Sequence, residues 1–133
     1  MNILNQIEEI NLNSLELKTF TEQDALDYCQ LNNINPDNIT ELFLNNNKLT
    51  DISGIMVFKN IENLYLSYNK ITDISVIQYL KKLCFLDMEY LELESEQIKY
   101  IKSLKNLKTL YCNKGFKNMS VLSELNNNIE IYE

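Results

Sequence analysis

The chain has no histidine, no tryptophan and no arginine; all twelve cations among its 133 residues are lysines. Without histidine the commonest general base and metal ligand is missing. Without arginine there is no bidentate fork for phosphate or guanine. Glycine occurs only as Gly54 and Gly115, and proline only as Pro36. That scarcity excludes collagen-like and low-complexity classes, and no GxxxxGK[ST] or other glycine-rich phosphate loop can be drawn. Cys29, Cys84 and Cys112 are odd in number, far apart and in no CxxC pair. Their expected state is three thiols in a reducing compartment, with no disulfide and no metal. No run of eighteen uncharged apolar residues occurs, and Met1–Gln6 carries no basic segment. The expectation is therefore no membrane span, no secretory signal and a cytoplasmic (intracellular) location.

What is present describes a folded domain. Hydrophobic residues make up 45% of the chain, enough to bury a core in a single domain of this length. The net charge is -7 and uneven: residues 1–60 hold nine acids against Lys18, Lys48 and Lys59. An acidic surface repels nucleic acid and anionic lipid and steers towards basic partners, so no direct nucleic-acid binding is expected.

A fixed period dominates the sequence. The segment Ile39-Thr-Glu-Leu42-Phe-Leu44-Asn-Asn-Asn47-Lys-Leu49-Thr-Asp-Ile52-Ser is nearly repeated 22 residues later. The copy reads Ile61-Glu-Asn-Leu64-Tyr-Leu66-Ser-Tyr-Asn69-Lys-Ile71-Thr-Asp-Ile74-Ser. A third unit opens at Leu83 with Leu86, Met88, Leu91 and Leu93 in the matching places, and a fourth at Leu107 with Leu110 and Cys112. A degenerate unit, Ile7, Ile10, Leu12, Leu15 and Leu17, precedes them in the same frame. The LxxLxLxxN run followed by I/L-T-D-I-S resembles the leucine-rich repeat family, in its 22-residue subclass of phosphatase-regulator and internalin proteins. The resemblance covers roughly residues 7–131. It implies an α/β solenoid with a short parallel sheet on the concave face and short helices or turns on the convex face.

The physics of the pattern agrees. In L-x-L, alternation sends both leucines to one face of a short strand, and one unit cannot bury that face alone, so units must stack. Asn47 and Asn69 end their strands, where an amide can satisfy backbone groups freed by the turn; in the family this asparagine forms a ladder. Thr50-Asp51 and Thr72-Asp73 are read as caps of convex turns. Residues 1–38 are read as an N-terminal capping unit with one helix, capped by Thr21, running to about Leu31 and stopped by Pro36. Ala25, Leu26, Cys29 and Leu31 are expected to face inward. Residues 39–128 are the repeats, with a helix at Ser95–Leu104, and 129–133 a terminal edge strand open to pairing with a second copy. Leu91 stands where the third unit's asparagine belongs, so the ladder is expected to break there.

The resemblance also implies which residues look out from the concave sheet. These are the positions between the leucines: Phe43, Tyr65, Asp87 and Tyr111 in one column, Glu41 and Phe85 in another, Glu89 and then Tyr68 and Tyr90 beyond the strand. Six aromatics interleaved with Glu41, Asp87 and Glu89 suit a protein-binding surface, since tyrosine supplies contact area at low entropic cost. Five strands give a face of only about 300 Å², against about 800 Å² per partner in a standard complex. The partner must therefore also touch the flanking loops, or present a peptide or protruding element.

Catalysis is not expected. Asp87 and Glu89 could imitate a carboxylate pair, but such a pair needs a cleft, and no histidine activates any serine or tyrosine. No catalytic residue, cofactor or metal site is assigned. The reading is a non-catalytic module binding a partner protein or peptide through an aromatic and acidic face. The alternative is a small acidic inhibitor, for example a phage-encoded anti-defence or anti-nuclease protein, that covers a basic surface of its target.

Overall fold

A computed structural model describes residues 7–133. Six three-residue strands are β1 (Glu9–Asn11), β2 (Glu41–Phe43), β3 (Asn63–Tyr65), β4 (Phe85–Asp87), β5 (Thr109–Tyr111) and β6 (Glu130–Tyr132). They form one all-parallel sheet in chain order. The register follows the sequence frame: Ile10, Leu42, Leu64, Leu86, Leu110 and Ile131 pair in turn. The fold is the α/β solenoid that the repeat implied.

Each strand is too short to be stable alone, so its inward residues must pack on the next unit. Leu42, Leu64, Leu86 and Leu110, with Leu44, Leu66, Met88 and Cys112, form two buried columns beneath the sheet. Turns of 3-10 helix at Ser53–Val57, Ser75–Tyr79 and Met119–Glu124 close the other side, burying Ile55, Ile77 and Leu122. Asp51 and Asp73 accept from Ser53 N (2.9 Å) and Ser75 N (2.7 Å) as these turns begin. The preceding Thr50 does not join that cap; its hydroxyl donates to Lys18 O. The third unit has a helical segment, a 3-10 turn at Ser95–Gln97 running into α2 (Ile98–Lys102).

The asparagine ladder holds the first turns together. Asn47 Oδ1 accepts from Leu15 N and Leu17 N at 3.0 Å each, while its Nδ2 donates to Leu12 O and Leu44 O. Asn69 repeats the pattern one unit on, accepting from Leu49 N and donating to Leu44 O and Leu66 O. Leu15 and Leu91 occupy the asparagine position in the first and third units, and there the next residue, Glu16 or Glu92, adopts a left-handed backbone (φ 58 and 51). Lys48 and Lys70, which follow the asparagines, do not. In the fourth unit Gly115 stands at this position and Phe116 after it is not left-handed, so the bend accompanies leucine there rather than the mere absence of the amide.

The N-terminal unit differs from expectation in two details. Helix α1 (Glu22–Leu31) has the full capping box, Thr21 accepting from Asp24 N and Asp24 from Thr21 N. It ends at Leu31 as expected, but the stop is not Pro36: Asn33 turns left-handed (φ 54), and Pro36 instead opens a 3-10 turn. Ala25 and Cys29 are buried one turn apart, yet Leu26 is 48% exposed and Leu31 86%. The helix lies on the Ser53–Val57 turn, with Ala25 and Cys29 buried and Tyr28 partly buried against the core.

Gly54 lies under this helix entry. A Cβ there would sit 2.3 Å from Thr21 O and 2.7 Å from Phe20 O, both backbone atoms, and Gly54 N donates to Phe20 O. Gly54→Ala should therefore cost at least about 2 kcal/mol in urea denaturation. Asn47→Ala, which strands several backbone groups, should cost about 2–3 kcal/mol. A change under about 0.5 kcal/mol in either would refute the role given to that residue.

Candidate functional site

Because the leucines point down, the residues between them form rows on the opposite face of the sheet. The register places Asn11, Phe43, Tyr65, Asp87, Tyr111 and Tyr132 in one row, and Glu9, Glu41, Asn63, Phe85, Thr109 and Glu130 in the row two residues earlier. At strand spacing of about 4.8 Å, aromatic side chains on neighbouring strands must touch.

They touch as a continuous run. Phe43 stacks on Tyr65 with centroids 4.3 Å apart. Tyr65 then meets Phe85 at 5.0 Å, Phe85 meets Tyr111 edge-on at 5.2 Å, and Tyr111 meets Tyr132 at 4.7 Å. Phe85 belongs to the other row and crosses diagonally, bridging the place where Asp87 interrupts the aromatics. Tyr132 completes the run and was absent from the sequence reading. Its signal lay in the spacing, 21 residues after Tyr111, hidden because the last unit carries Asn128 where an apolar residue opens the others.

Tyr68 and Tyr90 form a separate stacked pair, centroids 4.6 Å apart, past the ends of β3 and β4. Asn113 Nδ2 donates to Tyr90 Oη (3.1 Å), and the Lys114 ammonium lies 5.6 Å from the Tyr90 ring centre. Both tyrosines have left-handed backbone, φ 58 and 60. The matching residues Ser14, Asn46 and Lys114 share that conformation, so the turn requires it in every unit. Asparagine tolerates it at little cost; a bulky tyrosine does not. Two adjacent tyrosines therefore occupy positions that folding alone would fill more cheaply.

The acids are placed unequally. Glu41 is half-buried and lies 3.5 Å from the Tyr65 hydroxyl, which donates to it. Glu89 is half-buried beside the tyrosine pair. Asp87, expected to look outward with the others, is only 8% exposed. Its Oδ1 accepts from Glu89 N at 3.3 Å. Burial pushes the Asp87 carboxyl above the ordinary range, against the hydrogen bonds that favour its charge, and burial followed by the nearby Asp87 charge does the same to Glu89. Tyr65 is raised by burial and then by Glu41. Tyr68 is 48% exposed and Tyr111 37%, while Phe43, Tyr65, Phe85 and Tyr90 are half-buried.

Among the described residues no group of histidine, cysteine, aspartate or glutamate could hold a metal ion, and no helix is long and apolar enough to cross a membrane. The arrangement is a shallow aromatic surface with carboxylates set into it, suited to contact over an area.

Residues 37–79 match the family model described as leucine-rich repeats, in two copies, which spans the two clearest units. No curated protein matches the chain.

Two outcomes follow from the geometry. In Tyr68→Asn, relief of the left-handed backbone offsets the lost ring stacking. Thermal unfolding should then place it within about 1 kcal/mol of wild type, against about 2–5 for Leu64→Ala. For Asp87, a raised folded pKa means stability that is fully present below the unfolded value and lost as pH rises through the folded one. Asp87→Asn should accordingly match or exceed wild-type stability at pH 7, with the difference vanishing as the pH falls towards 4. A clear loss at pH 7 would contradict this.

Proposed function

Taking the chain as a leucine-rich repeat protein, we propose that it is a non-catalytic module that binds a partner protein or peptide through the exposed face of its sheet. Leucine-rich repeat domains generally mediate protein–protein interaction. The contact residues of the proposal are Glu41, Phe43, Tyr65, Tyr68, Phe85, Asp87, Glu89, Tyr90 and Tyr111, with Tyr132 added from the ring contacts. The observation that carries it is the pair Tyr68 and Tyr90, held in a backbone conformation that a tyrosine adopts at a cost and left open to a partner. An intracellular site of action belongs to the same reading, supported by three free thiols.

β6 has a strand neighbour on one side only among the described residues, so its outer edge offers backbone groups to a second copy. Pairing there is a separate contact, and a purely monomeric mass by light scattering at high concentration argues against it.

Pull-down from native lysate with wild type and Tyr65→Ala/Tyr111→Ala, both checked for folding by circular dichroism, tests the surface. Loss of the captured protein in the double variant is the expected result; equal capture sinks the assignment. Salt separates the adaptor from the acidic inhibitor. A ring-anchored contact should weaken little between 0.05 and 0.5 M salt (about 14 to 4 Å in screening length), whereas a charge mimic covering a basic surface should weaken steeply.

A further inference from the structure

The turns that lead into the strands line one flank of the solenoid, and their residues fall in register like those of the sheet. Two positions before the unit openers Ile39, Ile61, Leu83 and Leu107 stand Asp37, Lys59, Lys81 and Lys105; one position before the last three stand Asn60, Lys82 and Asn106. Asn60 Nδ2 donates to Asp37 O (2.8 Å) and Asn106 Nδ2 to Lys81 O (2.7 Å), which ties neighbouring units along this flank. Lys108 follows its opener in the place that Glu62 and Cys84 fill in the two units before it.

The flank inverts the charge of the molecule. Lys59, Lys81, Lys82, Lys105 and Lys108 are all exposed there, against Asp37 and Glu62, in a chain of net charge -7. Among the described residues only Lys59 of these five has an ion pair, with Asp37 at 3.6 Å, while Lys81 Nζ donates to Gln78 O. Like charges side by side on adjoining units repel one another, and an anion laid across them relieves that repulsion.

A second, independent feature adjoins the lysines. Beside Lys105 the flank opens into a hollow of about 440 Å³ between the third and fourth units, within the size range of ligand-binding hollows. The core columns explain it. Three positions before the openers, Phe58 and Leu80 are sealed at 0% and 1% exposure, but Leu104 and Leu125 both reach 7%. The openers Ile61 and Leu83 are sealed too, whereas Leu107 reaches 5% and the next opener is Asn128, polar and exposed. Leu104, Leu107 and Leu125, with half-buried Ile129, thus floor a hollow that no apolar side chain from position 128 fills. Lys102 and Glu124, paired at 3.5 Å, stand on its rim with Lys105.

We propose that this flank docks an acidic segment of a partner protein. The segment seats one apolar side chain in the hollow and sets its carboxylates against Lys81, Lys82, Lys105 and Lys108. The apolar floor gives a phosphate backbone nothing to meet, and no arginine supplies the fork that phosphate favours. This site is separate from the face of the sheet and opposite to it in charge. A chain that carries both can hold two partners at once, which is the work of an adaptor.

The test follows the anisotropy of a labelled peptide with four glutamates on each side of one leucine, titrated with the intact chain. Two counterparts replace the leucine by serine or the glutamates by glutamine, and a single-stranded oligonucleotide of the same charge is the fourth probe. The leucine peptide should bind saturably, the serine peptide at least fivefold and the glutamine peptide at least tenfold more weakly. Lys105→Gln/Lys108→Gln should cost at least fivefold, while Lys18→Gln/Lys70→Gln, which removes two exposed lysines outside these rows, should stay within twofold of wild type. Asn128→Leu, which restores an apolar opener and fills the hollow, should reduce the leucine peptide to the level of its serine counterpart. No binding of the leucine peptide, equal binding of the serine peptide, or equal loss in both lysine pairs overturns the proposal. Tighter binding of the oligonucleotide than of the leucine peptide also overturns it and makes the flank a nucleic-acid surface.

Discussion

The structure depends on stacking in register. No three-residue strand persists alone; each borrows its hydrogen bonds and its apolar cover from the next unit. The side-chain period of two then fixes everything above the sheet, because a slip of one residue would turn leucines out and tyrosines in. The aromatic run is thus a by-product of the same constraint that builds the core. If Leu42, Leu64, Leu86 and Leu110 align, then Phe43, Tyr65, Asp87 and Tyr111 must align as well.

Most of this was legible in the sequence because the repeat is nearly perfect where it matters. Residues 39–82 gave frame, strand positions and the ladder of Asn47 and Asn69 directly. What escaped has a common physical cause: it depends on how neighbours lean, which periodicity does not encode. Asp87 was expected at the surface, yet it is 8% exposed, its carboxylate turned to accept from Glu89 N. Apolarity points Leu26 and Leu31 inward, yet the face of α1 that packs on the core carries Ala25, Tyr28 and Cys29. The helix stop was assigned to Pro36, the loudest residue in the segment, when Asn33 had already ended it.

The turns beyond the strands show two ways of solving one problem. Where an asparagine is present, its amide bridges two units and the following residue keeps an ordinary backbone. Where leucine replaces it, Glu16 and Glu92 take up the strain. The preceding position is left-handed in every unit regardless, so its occupant varies with something other than backbone geometry. Serine, asparagine and lysine stand there at the edges of the solenoid and tyrosines in its middle, which concentrates aromatic surface at the centre of the sheet.

The thiols carry a consequence of the same packing. Cys112 fills a core position where burial, with Glu133 and Glu89 adding smaller effects, pushes its pKa up to about 12. Cys29, on the inner face of α1, is buried and raised in the same direction. Burial thus keeps Cys112 in its unreactive thiol form near neutral pH. That leaves half-exposed Cys84, on the flank of the sheet beside Glu62 and Asn63, as the sulfur an alkylating dye can reach. The native fold is in effect a single-thiol protein, already carrying its own attachment point for a fluorescent reporter next to the aromatic rows.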